Sequence, residues 1–255
     1  MSHHYVELKK LYYTYPDGNQ AIHGINLMIH HGEAVAIVGA NGAGKSTLLK
    51  LLVGILIPSQ GEISVGGTSV TKKTLPYIRQ HIGFTFQDPD DQLFMNTVYD
   101  DVAFGPRNYG VDEPEVEQRV LRALEIVGAV HLKDRAPYKL SGGEKRAVAI
   151  AAVLTMEPDI LVMDEPSAAL DPQARRRLIR LLQGFSHTKI ITTHDLDMVL
   201  DLCERTIIVK DGRIVADGPS LEILSNEELL EACGLEKPLR MQGCPICNRK
   251  EEHLT

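Results

Sequence analysis

No apolar run in the 255 residues is long enough to cross a bilayer. The two longest, AVAIVGA at 34–40 and AVAIAAVL at 147–154, fall well short of the roughly 20 residues a membrane helix needs. The chain is therefore expected to span no membrane. Its opening, MSHHYVELKK, has no apolar signal core, which predicts a cytoplasmic location. Positive charge is in deficit: 27 Lys and Arg stand against 34 Asp and Glu, a formal net charge of -7. Nonspecific nucleic-acid affinity comes from clustered cations, so no nucleic-acid partner is expected. The short run Arg175, Arg176, Arg177 reads as a solvated helix face. Cysteine is sparse, and Cys203, Cys233, Cys244 and Cys247 are too few and too clustered for a secreted disulfide scaffold. Internal repeats, long linkers and heptads are lacking as well.

What is present is ordinary globular usage, 44% apolar and 24% charged, in a chain long enough for one large domain or a domain with a lobe. YVELKKLYYTY, INLMIH and GEISVGG alternate with PDGN and GG turns and predict antiparallel strands. EAVAIVGANGAGKSTLLKLLVGIL predicts a buried strand, a glycine loop and a helix ended by Pro58. From Asp112 the pattern turns helical, with Pro114 in the first turn and Val116, Val120, Leu124 and Val127 at three- and four-residue spacing. A second helix is expected at SGGEKRAVAIAAVL. Strands and helices then alternate through DILVMDEP, QARRRLIRLLQGF, TKIITTHD and LDMVLDLC to a hairpin at Asp211-Gly212.

Chemistry is concentrated in few places. GANGAGKST, comprising Gly39, Ala40, Asn41, Gly42, Ala43, Gly44, Lys45, Ser46 and Thr47, fits the phosphate-loop pattern between a strand and a helix. Its glycines let backbone N–H groups and the helix N-terminus face phosphate. Lys45 would reach the β- and γ-phosphates, and the Ser46 hydroxyl would ligate magnesium. ILVMDEP delivers Asp164 and Glu165 at the C-terminal edge of a buried strand, where ligands of open α/β sheets bind; one can hold magnesium and the other can poise a water.

LSGGE, Leu140 to Glu144, completes a set. With the phosphate loop, Gln87 after a strand, the acidic strand end, SAALD at 167–171 and His194 after KIITT, the chain resembles the ATP-binding cassette (ABC) ATPases over residues 5 to about 225. The NKxD signature of GTPases is absent. The resemblance implies an α/β fold: a P-loop NTPase core with a mostly parallel sheet, an antiparallel β subdomain and an inserted helical subdomain at about 89–150. The ATPase domain would cover 1–235, leaving a tail at 236–255. ATP would be sandwiched between two head-to-tail ATPase subunits, identical or homologous, so that one chain holds half-sites. Tyr15 falls where the family stacks an aromatic on adenine. Ser141, Gly142, Gly143 and Glu144 would begin a helix facing the γ-phosphate bound by the other subunit, and Asp171 would lie at the seam. Glu165 would be the general base, Asp164 would reach magnesium through its shell, Gln87 would sense both, and His194 would contact the γ-phosphate. Glu144 stands where many relatives have Gln, and either side chain can bond outward from the helix start.

The stretch GFTFQDPDDQLFMNTVYDDVAFG, 83–105, sets acid beside large apolar side chains. FQDPDDQLF with TVYDDVAFGPRNYG resembles the ATPase component of energy-coupling factor importers, especially the cobalt and nickel uptake subset. Vitamin uptake by the same importer type is the nearest alternative, and a soluble ATPase acting on nucleic acid or protein complexes the more distant one. The importer reading implies integral-membrane subunits docking near Gln87 to Phe104, with Phe94 and Met95 as the contact and Val98 and Val102 partly core. The protein would then sit peripherally on the cytoplasmic face of the membrane. Cys244-x-x-Cys247, with His253 six residues on, can supply two or three ligands to a zinc ion at the tail; a disordered reduced tail and an adventitious zinc site are the plainer readings.

Overall fold

A computed structural model of the chain describes residues 6–242. It opens with antiparallel strands β1 (Val6–Thr14) and β2 (Gln20–Ile29), followed by β3 (Ala34–Val38) and helix α1 (Lys45–Leu52). β4 (Gln60–Val65), the two-residue β5 (Thr68–Ser69), α2 (Leu75–His81) and β6 (Ile82–Thr85) come next. Three helices follow, α3 (Val98–Asn108), α4 (Glu113–Ile126) and α5 (Gly142–Leu154). The chain then alternates through β7 (Ile160–Asp164), α6 (Pro172–Gln183), β8 (Thr188–Thr192), α7 (Leu196–Leu202), β9 (Arg205–Lys210) and β10 (Arg213–Pro219) to α8 (Ser220–Ser225) and α9 (Glu227–Ala232).

The strands form two sheets, one of order β2-β1-β4-β5 and one of order β10-β9-β3-β8-β7-β6. In the larger sheet β9, β3, β8, β7 and β6 run parallel, and β10 returns antiparallel on β9. The interior of that sheet alternates with period two, as successive side chains on a strand must. Val35, Ile37, Ile160, Val162, Ile190, Ile207 and Val209 face α1 and the antiparallel sheet in one apolar core. Ala36, Val38, Leu161, Met163, Ile191 and Ile208 face α6, α7 and the C-terminal helices in another. Both faces are covered, which is why these strands read as unbroken apolar runs. A third core, running from Leu93 to Ala151, is built by α3, α4 and α5. The structure thus has the mixed α/β architecture expected, with a parallel sheet, an antiparallel sheet and a helical lobe inserted between β6 and β7.

Some local expectations are corrected. Helix α1 stops at Leu52, six residues before the Pro58 expected to end it. The N–H groups of Ile55 and Leu56 fold back to the Lys50 carbonyl, and Gly54 takes a left-handed turn at φ +68 that no β-carbon resists. The helix expected from Asp112 is α4, with Asp112 at its N-cap and Pro114 in its first turn; before it stands a helix not expected, α3, capped by the Thr97 hydroxyl, which accepts from Asp100 N. The short helices α2, α8 and α9 were not foreseen. Among the described residues no helix is long and apolar enough to cross a membrane. Cys244, Cys247 and His253 lie outside the described residues.

Candidate functional site

The order β3-β8-β7-β6 puts four loops side by side at the C-terminal ends of parallel strands: the phosphate loop after β3, His194 after β8, Glu165 after β7 and Gln87 after β6. Gly39 opens the phosphate loop at φ +157, and a β-carbon there would lie 2.1 Å from the Val209 carbonyl oxygen. Only glycine lets the loop pass β9 so closely. The far side is pinned by Gly212 N donating to the Ala43 carbonyl at 3.0 Å. Asn41 and Gly42 are exposed, Ala43, Lys45 and Thr47 buried, Gly44 and Ser46 half-buried.

Lys45 is the centre of the cluster. Its Nζ donates to the Gly39 carbonyl at 2.7 Å and the Ala40 carbonyl at 3.2 Å, and lies 3.1 Å from His194 Nε2. Burial pushes the Lys45 ammonium pKa down, and the Glu165 and Asp164 carboxylates oppose that shift. His194 Nε2 is also 3.3 Å from Glu165 Oε1, while His194 N donates to Glu165 Oε2 at 3.1 Å. Glu165 Oε1 is buried and has no hydrogen-bond partner among the described residues. A buried carboxylate oxygen left this way is costly unless another group or water meets it. Glu165 also takes a left-handed backbone, φ 47, which a side chain adopts only under constraint. Asp164, at the end of β7, accepts from Thr192 Oγ1 at 2.6 Å. A cleft of about 640 Å³ is lined by Ser46, Gln87 and Asp164, with Gly142 and Lys145 on its far wall. Two hard anionic or amide oxygens and a hydroxyl around one cleft are the donor set magnesium prefers.

Tyr15 stands just past β1, edge-on to Tyr13 with ring centroids 4.9 Å apart, and its hydroxyl meets Thr47 Oγ1 at 2.9 Å. Tyr13 is buried. Ser141 caps α5, whose first residues are Gly142 and Gly143. Glu144 does not bond outward as expected: its carboxylate turns back to Ser141 N and Oγ, each at 2.8 Å, and Ser141 Oγ accepts from Glu144 N in return. These two bonds from Ser141 hold the Glu144 carboxyl below its usual range. Asp171 caps α6, accepting from Gln173 N at 2.8 Å and Ala174 N at 2.9 Å.

Sequence reasoning missed the cation that ties these parts together. Arg146, only 3% exposed, donates to the Phe86 carbonyl at 2.7 Å and to the Gln87 carbonyl. Desolvation lowers its pKa, and Asp88 and Asp164 work against that. The only sequence signal was a cation entering an otherwise apolar helix, EKRAVAIAAVL. Lys145 adds a pair to Asp90 at 2.6 Å, and Gln92 Nε2 donates to the Ala149 carbonyl at 2.7 Å. The loop after β6 is therefore laid along α5. Beyond it Phe94 is 63% exposed, with Phe104 edge-on at 4.9 Å. Asp101 Oδ1 accepts from Phe94 N at 2.9 Å and Met95 N at 3.1 Å, fixing the bulge. Met95 is half-buried, and Val98 and Val102 are fully buried. The basic run is also less solvated than expected: Arg175 is half-buried and paired with Asp195.

Comparison with known proteins agrees with this layout. The family described as ABC transporter matches residues 22–168. An ABC transporter ATP-binding protein of Geobacter sulfurreducens is 61% identical over 249 residues, 98% of this chain and 100% of that protein. The energy-coupling factor transporter ATP-binding protein EcfA of Methanothermobacter thermautotrophicus is 47% identical over 254 residues, 94% of this chain and 82% of that protein. Among solved structures, cbiO1 of Clostridium perfringens, described as part of the ABC transporter complex cbiONQ, superposes with a TM-score of 0.80 at 40% identity, covering 97% of this chain and 98% of that one. The chain belongs to the ABC transporter family, as an ATP-binding and ATP-hydrolysing member similar to energy-coupling factor ATPases.

Proposed function

We propose that this protein is the ATPase of an energy-coupling factor importer that takes up cobalt or nickel ions, acting peripherally at the cytoplasmic face of the membrane. The observation that carries the nucleotide half of this reading is the run Lys45, His194, Glu165, joined at 3.1 and 3.3 Å. The loop residues Gly39 to Thr47 cradle the phosphates of ATP, and Tyr15 stacks on its adenine. Ser46 and Gln87, with Asp164 through the ion's shell, would hold magnesium, which would supply neutralising charge to the phosphates. Lys45 releases the loop carbonyls for phosphate oxygens. Glu165 turns Oε1, which no hydrogen bond among the described residues holds and which His194 Nε2 approaches, to the attacking water and draws its proton, while His194 holds the γ-phosphate in line. Phosphoryl transfer depends mainly on such positioning and charge neutralisation. A second ATPase subunit, head to tail, brings Ser141, Gly142, Gly143 and Glu144 to the far side of the nucleotide, with Asp171 at the seam.

The importer half rests on the exposed Phe94–Phe104 pair beside a loop that includes Gln87, and on the likeness of the stretch from Phe86 to Gly110 to the cobalt and nickel uptake subset. An apolar pair this exposed, Phe94 at the end of the polar loop and Phe104 on α3, suits burial by a helix of a membrane subunit. A zinc site at Cys244 and Cys247 would be an accessory to this role.

One preparation tests both halves. Glu165→Gln, purified from native membranes, should bring down integral-membrane subunits, bind ATP, accumulate as a dimer and turn over at least about 100-fold more slowly. Recovery as a fully soluble protein with nucleic acid or ribosomes would exclude the importer. Near-normal hydrolysis would move the general base elsewhere.

A further inference from the structure

The proposed function leaves unexplained what fixes His194. Its ring must lie within hydrogen-bond reach of Lys45 and Glu165, yet it sits on a short connection between β8 and the seven-residue α7. Its own N–H is held by Glu165 Oε2. The next residue, Asp195, carries the remaining constraint. Asp195 Oδ1 caps α7 by accepting from Met198 N at 2.9 Å, and Asp195 N donates to the buried Thr193 hydroxyl at 3.0 Å. Both carboxylate oxygens are taken by one guanidinium: Arg175 Nη2 donates to Oδ1 at 2.7 Å and Nε donates to Oδ2. A two-pronged pair fixes direction as well as distance, which a single ammonium contact does not.

Arg175 belongs to the first turn of α6, four residues after the capping Asp171, and its N–H donates to the Asp171 carbonyl at 2.9 Å. The guanidinium thus measures the position of residue 195 from a rigid helix end. Burial alone would raise the Asp195 pKa, but the bonds from Arg175, Met198 N and the Ser167 hydroxyl hold it below the usual aspartate value, so the pair stays charged. Two neighbours in the same basic run, Arg176 and Arg177, are exposed; only Arg175 turns inward. We propose that Arg175 is a positioning residue for ATP hydrolysis, holding His194 on the γ-phosphate side of the cluster through Asp195. This rests on the role proposed above for His194.

The test is a double-mutant cycle on the full chain with magnesium and ATP, reading turnover, KM, ATP binding and melting temperature. Arg175→Ala should lower kcat roughly 10-fold or more, with KM and ATP affinity within about twofold, the pattern of a displaced group rather than lost binding. Arg175→Lys, which keeps the charge but not the fork, should recover part of the rate and carries the test if the alanine variant does not fold. In a His194→Ala background the Arg175 substitution should cost little further, because its effect passes through the ring already removed. In parallel, the His194 imidazole NMR signal, assigned by its loss in His194→Ala, should shift in Arg175→Lys. If Arg175→Lys leaves that signal unmoved, or if its full rate loss recurs without His194, Arg175 serves only the packing of α6 on α7 and the proposal fails. If His194→Ala alone turns over normally, the role of His194 fails, and this proposal with it.

Discussion

Arg146 shows how much one buried side chain can organise. Its guanidinium is nearly inaccessible and spans two successive carbonyls, Phe86 and Gln87, so one cation fixes the backbone on which the Gln87 side chain is mounted. Removing it takes the donor from two part-buried acceptors. Arg146→Ala should therefore lower the free energy of unfolding by about 2 kcal/mol in urea titration. Arg146→Lys can satisfy one carbonyl but not both, and should recover only part of that loss. The phosphate loop and the acidic strand end were legible in the sequence as local patterns of residue types, and His194 only through its order among the motifs of the resemblance. Arg146 and Arg175 were not, because their meaning lies in partners 60 and 20 residues away, and a cation beside other polar residues looks the same whether it is solvated or clamped.

At the scale of an element, the segment from Gln87 to Asn108 joins two functions. Its first part lies along α5, tied by Lys145 to Asp90 and by Gln92 to the Ala149 carbonyl. Its last part is α3, whose buried face of Val98 and Val102 anchors it in the lobe. Between them Asp101 fixes the backbone of Phe94 and Met95, leaving Phe94 exposed and Met95 half-buried. Desolvation raises the Asp101 pKa despite the bonds from Phe94 N and Met95 N that lower it. Below the ordinary aspartate value both folded and unfolded chains carry it protonated. As pH rises the unfolded chain ionises it first, so the stability its protonated form lends is lost through the raised folded pKa. Asp101→Asn keeps an acceptor for both N–H groups, so its unfolding free energy should fall less than wild type's as pH rises from 3.5 to 7. Replacing Phe94 and Met95 together with Ser should spare basal ATP hydrolysis and folding while abolishing transport in membranes; loss of the folded state would make them core residues. The acid-and-apolar pattern of this segment was visible in the sequence, but α3 was not read as a helix from its start, because Gly105 and Pro106 interrupt its period.

For the whole molecule, the decisive feature is that its interior is divided. The large sheet separates two cores by the alternation of its strands, and that alternation was hidden in the sequence because both faces are apolar. The lobe has a third core with no strand residue in it. Helix α5 stands in two of them at once: Val148, Ala149 and Ala151 pack in the lobe, Ile150 and Val153 against the sheet. The same helix carries Ser141 at its cap and Arg146 on the loop of Gln87. In amide-exchange terms the protein should behave as two cooperative units with a common wall. The amides of α3 and α4 should exchange when the lobe alone opens, whereas those in the middle of α5 should wait until both units give way. On the proposed function, the lobe would then loosen and re-form its grip on a membrane subunit while the helix proposed to face nucleotide keeps its shape.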